Sequence, residues 1–337
     1  MEYRYFGNTG IQISPLGFGV QTFGWNVGKK EAIRLFHKYT EWGGNYFDTA
    51  DSYNEGKSEE ILGDCLVESK KRNDLIIGTK VFFPTGQTPN DSGASRRHLI
   101  SSVETSLRRL RTEWIDLLQI HCFDARTPAE ETLRALDDLV KSGKVRYIGA
   151  SNYTPSEMMR ALMISQFQRM NSFVSLQTEY SLLVRSPEWE LLPLCQENGV
   201  GVFAWSPLAG GWLTGKYRRD VIPENSRAGR KDRWDDATEQ RGTEKAYDII
   251  DCLLAISSEL KVTPVQISLA WMLRNQDVFP LIGARTVEQL DENLKSVEVR
   301  LNKAHIQALN DVSNPGLPAP YSFIERYGRK DKRKNVL

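Results

Sequence analysis

Short apolar runs alternate with helix-like segments from about residue 15 to about residue 296. The runs are Leu16–Gly19, Asn45–Asp48, Leu75–Lys80, Ile115–His121, Val145–Ser151, Phe173–Gln177, Val200–Trp205 and Val278–Ile282. Each is near-continuously hydrophobic, as strands buried on both faces are. Eight such runs, each followed by a helical pattern, predict an α/β chain folded as a (β/α)8 TIM barrel. No GxGxxG follows a strand, which argues against an open, doubly wound dinucleotide-binding sheet.

The helices announce their starts. Thr127-Pro128-Ala129-Glu130, Thr154-Pro155-Ser156-Glu157 and Thr263-Pro264-Val265-Gln266 each offer a Thr cap, a Pro in the first turn and a Glu or Gln that can reach back. Leu133, Leu136, Leu139 and Val140 then line one face, and Gly143 suits a left-handed end. Leu99, Val103, Leu107 and Leu110 make a similar stripe, and Arg96, Arg97, Arg108 and Arg109 around it read as a solvated face. Residues 3–13, with a turn at Gly7-Asn8-Thr9-Gly10, read as an N-terminal β-hairpin that caps the barrel floor. Residues 213–243 form a long polar loop of the kind that serves as a lid. No linker divides the chain, so 1–320 reads as one domain and 321–337 as a basic tail.

Composition narrows the classes. Apolar residues make up 40% of the 337 positions, enough for a large core, and the net charge of +1 gives no bias toward nucleic acid. Cys65, Cys122, Cys195 and Cys252 are scattered without a CxxC pair, and four histidines are too few for a zinc cluster. Reduced cysteines in a cytoplasmic protein are the expectation. Met1-Glu2-Tyr3-Arg4 carries no signal-peptide pattern, and no stretch nears roughly 18 apolar residues, so no membrane span is expected.

The chemistry gathers at strand ends. Asp48, Lys80 and His121 each stand at or just past the end of an apolar run, and Tyr53 follows Asp48 by five positions. In a parallel barrel such ends share one face, where active sites sit. A phenol near pKa 10 is a poor proton donor near neutrality, and a nearby ammonium brings it down. Lys80 can be that cation, Asp48 the carboxylate that holds it, and His121 an imidazole that bonds a substrate oxygen. Such a set suits proton delivery to a carbonyl oxygen while hydride reaches carbon, and the hydride requires a cofactor. Singly, each of these residues also reads as a cap, a loop aromatic or a packed histidine; their joint occurrence on consecutive units carries the reading.

Phe47-Asp48-Thr49-Ala50-Asp51-Ser52-Tyr53, followed by Gly56-Lys57-Ser58-Glu59-Glu60-Ile61-Leu62-Gly63, resembles the signature of the aldo-keto reductases. Asp116–His121, Gly143–Asn152 and Trp205-Ser206-Pro207-Leu208-Ala209-Gly210-Gly211 extend the likeness over nearly the whole chain. The resemblance implies an Asp48-Tyr53-Lys80-His121 tetrad with Tyr53 as proton donor, and NADP(H) lying across the barrel top. Ser151, Asn152 and Gln177 match positions that bond the nicotinamide carboxamide. Trp205 matches the aromatic that stacks on its ring, though alone it reads as a strand-end core residue. Ser206, Pro207, Leu208 and Gly210 match a loop that approaches the pyrophosphate, and Lys216 and Arg227 match groups that clamp phosphates. Gly283 and Arg285 open the last barrel helix, where Arg285 can fork onto a 2′-phosphate. Gln289, Glu292 and Asn293 match adenosine contacts; Thr286 and Gln289 equally have capping-box spacing.

Trp25, Phe82, Phe83 and Trp212 read as pocket walls or as loop packing, with Tyr53 and His121 at the pocket's centre. An aromatic pocket suits aldehydes and ketones of moderate size, reduced to alcohols with NADPH. The motifs also resemble the β subunits of voltage-gated potassium channels, which implies a second class of function: a nicotinamide-binding regulatory subunit with little turnover. A Schiff-base role for Lys80 is a third, against which Tyr53 and the cofactor motifs argue. Oligomeric state is not encoded in any readable pattern here.

Overall fold

The computed structural model describes residues 2–219 and 241–328. Arg4–Tyr5 (β1) and Gln12–Ile13 (β2) pair antiparallel as a separate hairpin. The eight barrel strands are Gly17–Gly19 (β3), Tyr46–Asp48 (β4), Ile76–Val81 (β5), Ile115–Ile120 (β6), Val145–Ser151 (β7), Phe173–Glu179 (β8), Gly201–Trp205 (β9) and Val278–Ile282 (β10). They are all parallel and close in the order β10-β3-β4-β5-β6-β7-β8-β9. All eight fall on the runs expected from the sequence. Helices Lys29–Glu41, Lys57–Ser69, Arg96–Leu110, Ala129–Lys141 and Pro155–Gln168 follow the first five barrel strands in turn. No helix among the described residues is long and apolar enough to cross a membrane.

Successive strand residues point to opposite faces, and here both faces are buried. Phe18, Phe47, Ile77, Leu118 and Ile148 belong to the large core between strands and helices. Tyr46, Leu117, Phe203, Phe279 and Leu281 form a second, smaller cluster with Phe6 and Ile13 of the hairpin. Phe6 lies in the barrel floor, its ring 4.6 Å from that of Phe203 and 5.3 Å from that of Phe279. Gly201 makes room for it: a Cβ there would lie 2.6 Å from the Phe6 ring. The hairpin is therefore a plug built around one aromatic.

Above that apolar floor the interior turns polar. Asp48, Lys80, Gln119, Ser175 and Gln177 are all buried. The runs looked continuously hydrophobic because the apolar face is complete and the polar face holds few, widely spaced residues.

The capping boxes at Thr154/Glu157 and Thr263/Gln266 are both formed. The one expected at Thr127 is not. Thr127 Oγ1 donates instead to Asp124 Oδ2 (2.7 Å), and the helix begins one residue later, at Ala129. Arg109 also departs from the expected solvated face: its side chain is only 21% exposed and turns inward onto Glu59. The long polar loop lies mostly outside the described residues, as do the last nine positions. Tyr321–Tyr327, within the segment read as a tail, is a short helix with Tyr321 stacked on Trp189.

Candidate active site

Alternation along two neighbouring strands brings the first pair together. Asp48 ends β4 and Lys80 stands one residue before the end of β5, both facing the lumen at its upper end. Lys80 Nζ meets Asp48 Oδ2 at 2.5 Å and donates to the Thr49 carbonyl at 2.8 Å. Both side chains are buried. The carboxylate is held in turn: Gln177 Nε2 donates to Asp48 Oδ1 at 2.9 Å, Tyr46 Oη at 3.4 Å and Gln119 Nε2 at 3.5 Å. Gln119 and Tyr46 were not expected to take part. Their signal was the strand alternation itself, since each stands two positions from a tetrad residue on the same face.

Tyr53 comes from the loop after β4. A short turn begins at Tyr53, and Asn54, Glu55 and Gly56 all take left-handed backbone, with φ of 53°, 55° and 85°. The Asn54 amide fixes this turn by donating to the carbonyls of Gln21 (2.7 Å) and Phe23 (2.8 Å). The phenol then lies over the ammonium, with Lys80 Nζ 3.4 Å from Tyr53 Oη. His121, the residue after β6, brings Nε2 to 3.4 Å from the same hydroxyl. The four residues expected to converge do so around the Tyr53 hydroxyl.

Electrostatics give each group a state. Burial works against the Lys80 ammonium, but Asp48 and Tyr53 outweigh it and hold the amine above its ordinary pKa. Burial raises the Tyr53 phenol, and Lys80 opposes that rise without cancelling it. Lys80 thus acts on the phenol in the expected direction, while burial outweighs it and keeps Tyr53 neutral. Burial and the nearby ammonium push His121 well below its usual range, so its imidazole is neutral. Its Nδ1 is buried and has no hydrogen-bond partner among the described residues.

The remaining expected residues ring the same barrel mouth. Ser151 is buried at the end of β7, and its hydroxyl accepts from Asn152 Nδ2 at 3.1 Å. Asn152 has φ of 55° and also donates to the His121 carbonyl at 2.9 Å. Trp205, half-buried at the end of β9, donates from Nε1 to Asn152 Oδ1 at 3.0 Å. The next loop turns back on itself through left-handed residues Ser206, Ala209, Gly210 and Gly211. Pro207 is buried within it and Leu208 packs on the core. Lys216 is exposed, and a Cβ on Gly211 would lie 3.2 Å from its Nζ. Arg227 lies outside the described residues.

Gly283 follows β10, with nothing within 4 Å of where its Cβ would stand. Arg285 is exposed beside it. Gln289 is engaged in the helix cap, where its Oε1 accepts the Arg285 amide at 2.9 Å while Thr286 Oγ1 accepts the Gln289 amide at 3.4 Å. Asn293 is buried and donates to the Gly283 carbonyl at 3.1 Å, bracing the loop from within. Glu292 is half-buried on the same helix. Beside the Tyr53 hydroxyl, Phe83 packs edge-on against His121 at 4.7 Å and Phe82 packs edge-on against Phe83 at 5.4 Å. Trp25 is 53% exposed. Trp212 is no wall: it is buried, stacked on Tyr217 at 4.4 Å and against Tyr247.

A sequence model of the aldo/keto reductase family matches residues 15–314. The chain belongs to the aldo/keto reductase family. It is 37% identical to the uncharacterised oxidoreductase YrpG of Bacillus subtilis over 96% of this chain and 99% of that one. It is 35% identical to a probable voltage-gated potassium channel β subunit of Arabidopsis thaliana, over 89% and 92% of the two chains. It is 33% identical to the versiconal hemiacetal acetate reductase of Aspergillus parasiticus, over 92% and 96%. As an aldo/keto reductase it is an oxidoreductase, of a family that generally uses a nicotinamide dinucleotide.

Proposed function

We propose that this aldo/keto reductase reduces aldehydes and ketones to alcohols with NADPH, and that Tyr53 is the proton donor. The observation that carries the reading is the buried cluster in which Lys80 Nζ touches Asp48 at 2.5 Å and stands 3.4 Å from the Tyr53 hydroxyl. The residues present fit the cofactor. Left-handed backbone at Ser206, Ala209, Gly210 and Gly211, a nearby ammonium at Lys216, open space at Gly283 and an exposed Arg285 together make a cationic rim approachable by backbone amides. Such a donor set suits a phosphorylated dinucleotide. Ser151, Asn152 and Trp205 would hold the nicotinamide end, and Arg285 the 2′-phosphate.

NADPH, when bound, supplies a hydride. The protein's own groups do the rest. The neutral imidazole of His121 hydrogen-bonds the substrate oxygen beside Tyr53. As negative charge grows on that oxygen, the Tyr53 hydroxyl gives it a proton. Lys80 stabilises the phenolate left behind, and Asp48 keeps the ammonium charged and in place. Phe83 beside His121 makes the adjoining wall apolar, which suits a substrate with an apolar or planar body.

The test is a panel of aliphatic, aryl and sugar-derived carbonyl compounds, followed by loss of NADPH absorbance. We expect turnover with at least one aldehyde class. NADPH binding without turnover on any carbonyl would instead favour a regulatory subunit, a reading that the likeness to a probable channel β subunit supports.

A further inference from the structure

We propose that Arg109 is a positioning residue for Tyr53: its guanidinium, held by Glu59, clamps the left-handed turn that carries the phenol over Lys80. The inference rests on Tyr53 being the acid. Three consecutive left-handed residues, two of them not glycine, do not hold that shape unaided. Asn54 ties one side of the turn. Arg109 ties the other. Its Nη1 donates to the Asp51 carbonyl, two residues before Tyr53, at 3.0 Å. The guanidinium also lies flat where a side chain at Gly56 would be, since a Cβ there would fall 2.1 Å from Cζ. The turn is thus held at Asp51 and at Gly56 by one side chain, and Tyr53 lies between the two points.

The anchor behind Arg109 reaches the other half of the pair. Glu59 is fully buried, and its Oε2 accepts from Arg109 Nη1 at 3.4 Å. Its Oε1 accepts the Thr79 hydroxyl at 2.7 Å. Thr79 immediately precedes Lys80 on β5 and points to the opposite face of the strand. A second link runs through the backbone, where the Asp51 amide donates to the Lys80 carbonyl at 3.1 Å. One carboxylate therefore fixes both the strand that carries the ammonium and the guanidinium that fixes the phenol. The 3.4 Å between Tyr53 Oη and Lys80 Nζ is set by these restraints rather than by a strong bond between the two groups themselves. None of Arg109, Glu59 or Thr79 touches the pocket's four reacting groups, so the effect is indirect.

The experiment compares wild type, Arg109→Ala, Arg109→Gln and Tyr53→Phe. It reads turnover at saturating NADPH and carbonyl, the Kd for NADPH, and amide hydrogen exchange in peptides covering 50–60. Loss of the clamp should lower kcat by about 10- to 100-fold, as a misplaced catalytic group does, with little change in KM or in the Kd for NADPH. Exchange in 50–60 should quicken. Guanidinium chloride at concentrations too low to unfold the protein should fill the space in Arg109→Ala and reverse both effects in part. Arg109→Gln keeps much of the side-chain volume and gives the answer should the alanine variant not fold. Faster exchange with wild-type kcat would overturn the proposal, as would a kcat loss that guanidinium leaves unchanged while exchange recovers. Wild-type turnover in Tyr53→Phe would sink the acid assignment, while the exchange data would still report on the clamp.

Discussion

A lysine with no exposed side-chain surface keeps its charge only if a carboxylate and further acceptors surround it. Lys80 has Asp48, the Thr49 carbonyl and the Tyr53 hydroxyl, and that arrangement defines the site. A second buried charge cluster lies behind it. Burial and then Glu59 push the Asp51 carboxyl up to about 8, with Arg109 opposing. Glu59 on helix Lys57–Ser69, Arg109 and Ser102 on helix Arg96–Leu110, and the Ser52 backbone amide are the groups that act on it. An unfolded aspartate titrates near 3.9, so between about pH 4 and pH 8 the folded chain keeps a proton that the unfolded chain releases. The contribution of this one group to stability therefore falls as pH rises through that window, by up to about 1.4 kcal/mol per pH unit. Asp51→Asn should flatten that decline, as read from urea unfolding at pH 5 to 8. Equal slopes in wild type and variant would show that Asp51 is ionised throughout. The cluster was invisible in the sequence: Arg109 sits among three other arginines, and only packing distinguishes the one that turns inward.

At the scale of elements, the strand ends were legible because a parallel barrel needs unbroken apolar runs and places their ends together. Tetrad residues at such ends could be read without coordinates. Caps were less secure. Thr154 and Thr263 cap as their spacing implies, whereas Asp124 takes the Thr127 hydroxyl and displaces the third box. A nearby carboxylate that outcompetes a backbone amide leaves no trace in the spacing. The last barrel helix shows the capping reading of its motif. Gln289 and Thr286 bond backbone amides in the cap, and this leaves the Arg285 side chain exposed at the rim. Arg285→Ala should weaken NADPH binding by about tenfold or more, the usual worth of a charge-assisted contact, and leave NADH binding nearly unchanged. Fluorescence titration with both dinucleotides measures this. Equal losses would remove the 2′-phosphate from Arg285.

The barrel is closed at one end by an aromatic and carries the buried polar cluster toward the other. Phe6 against Phe203 and Phe279 fills the floor, while Gln119 and Gln177 above it and the Tyr46 hydroxyl at its upper edge support Asp48. Phe6→Ala should destabilise the fold by about 3–5 kcal/mol, the range for a buried phenylalanine, with kcat unaltered wherever the protein stays folded. A loss below about 1 kcal/mol in denaturant unfolding would mean that the hairpin is not a plug. The outline of this architecture was written in the hydrophobic pattern; the depth at which polarity begins was not, because inward and outward residues alternate too sparsely to separate by eye. The central claim is that one buried phenol beside one buried ammonium delivers the proton. Single-turnover hydride transfer in Tyr53→Phe, preloaded with NADPH, tests it most directly. The account predicts unchanged NADPH binding and a transfer rate lower by about 10²–10⁴. Transfer at the wild-type rate would contradict it.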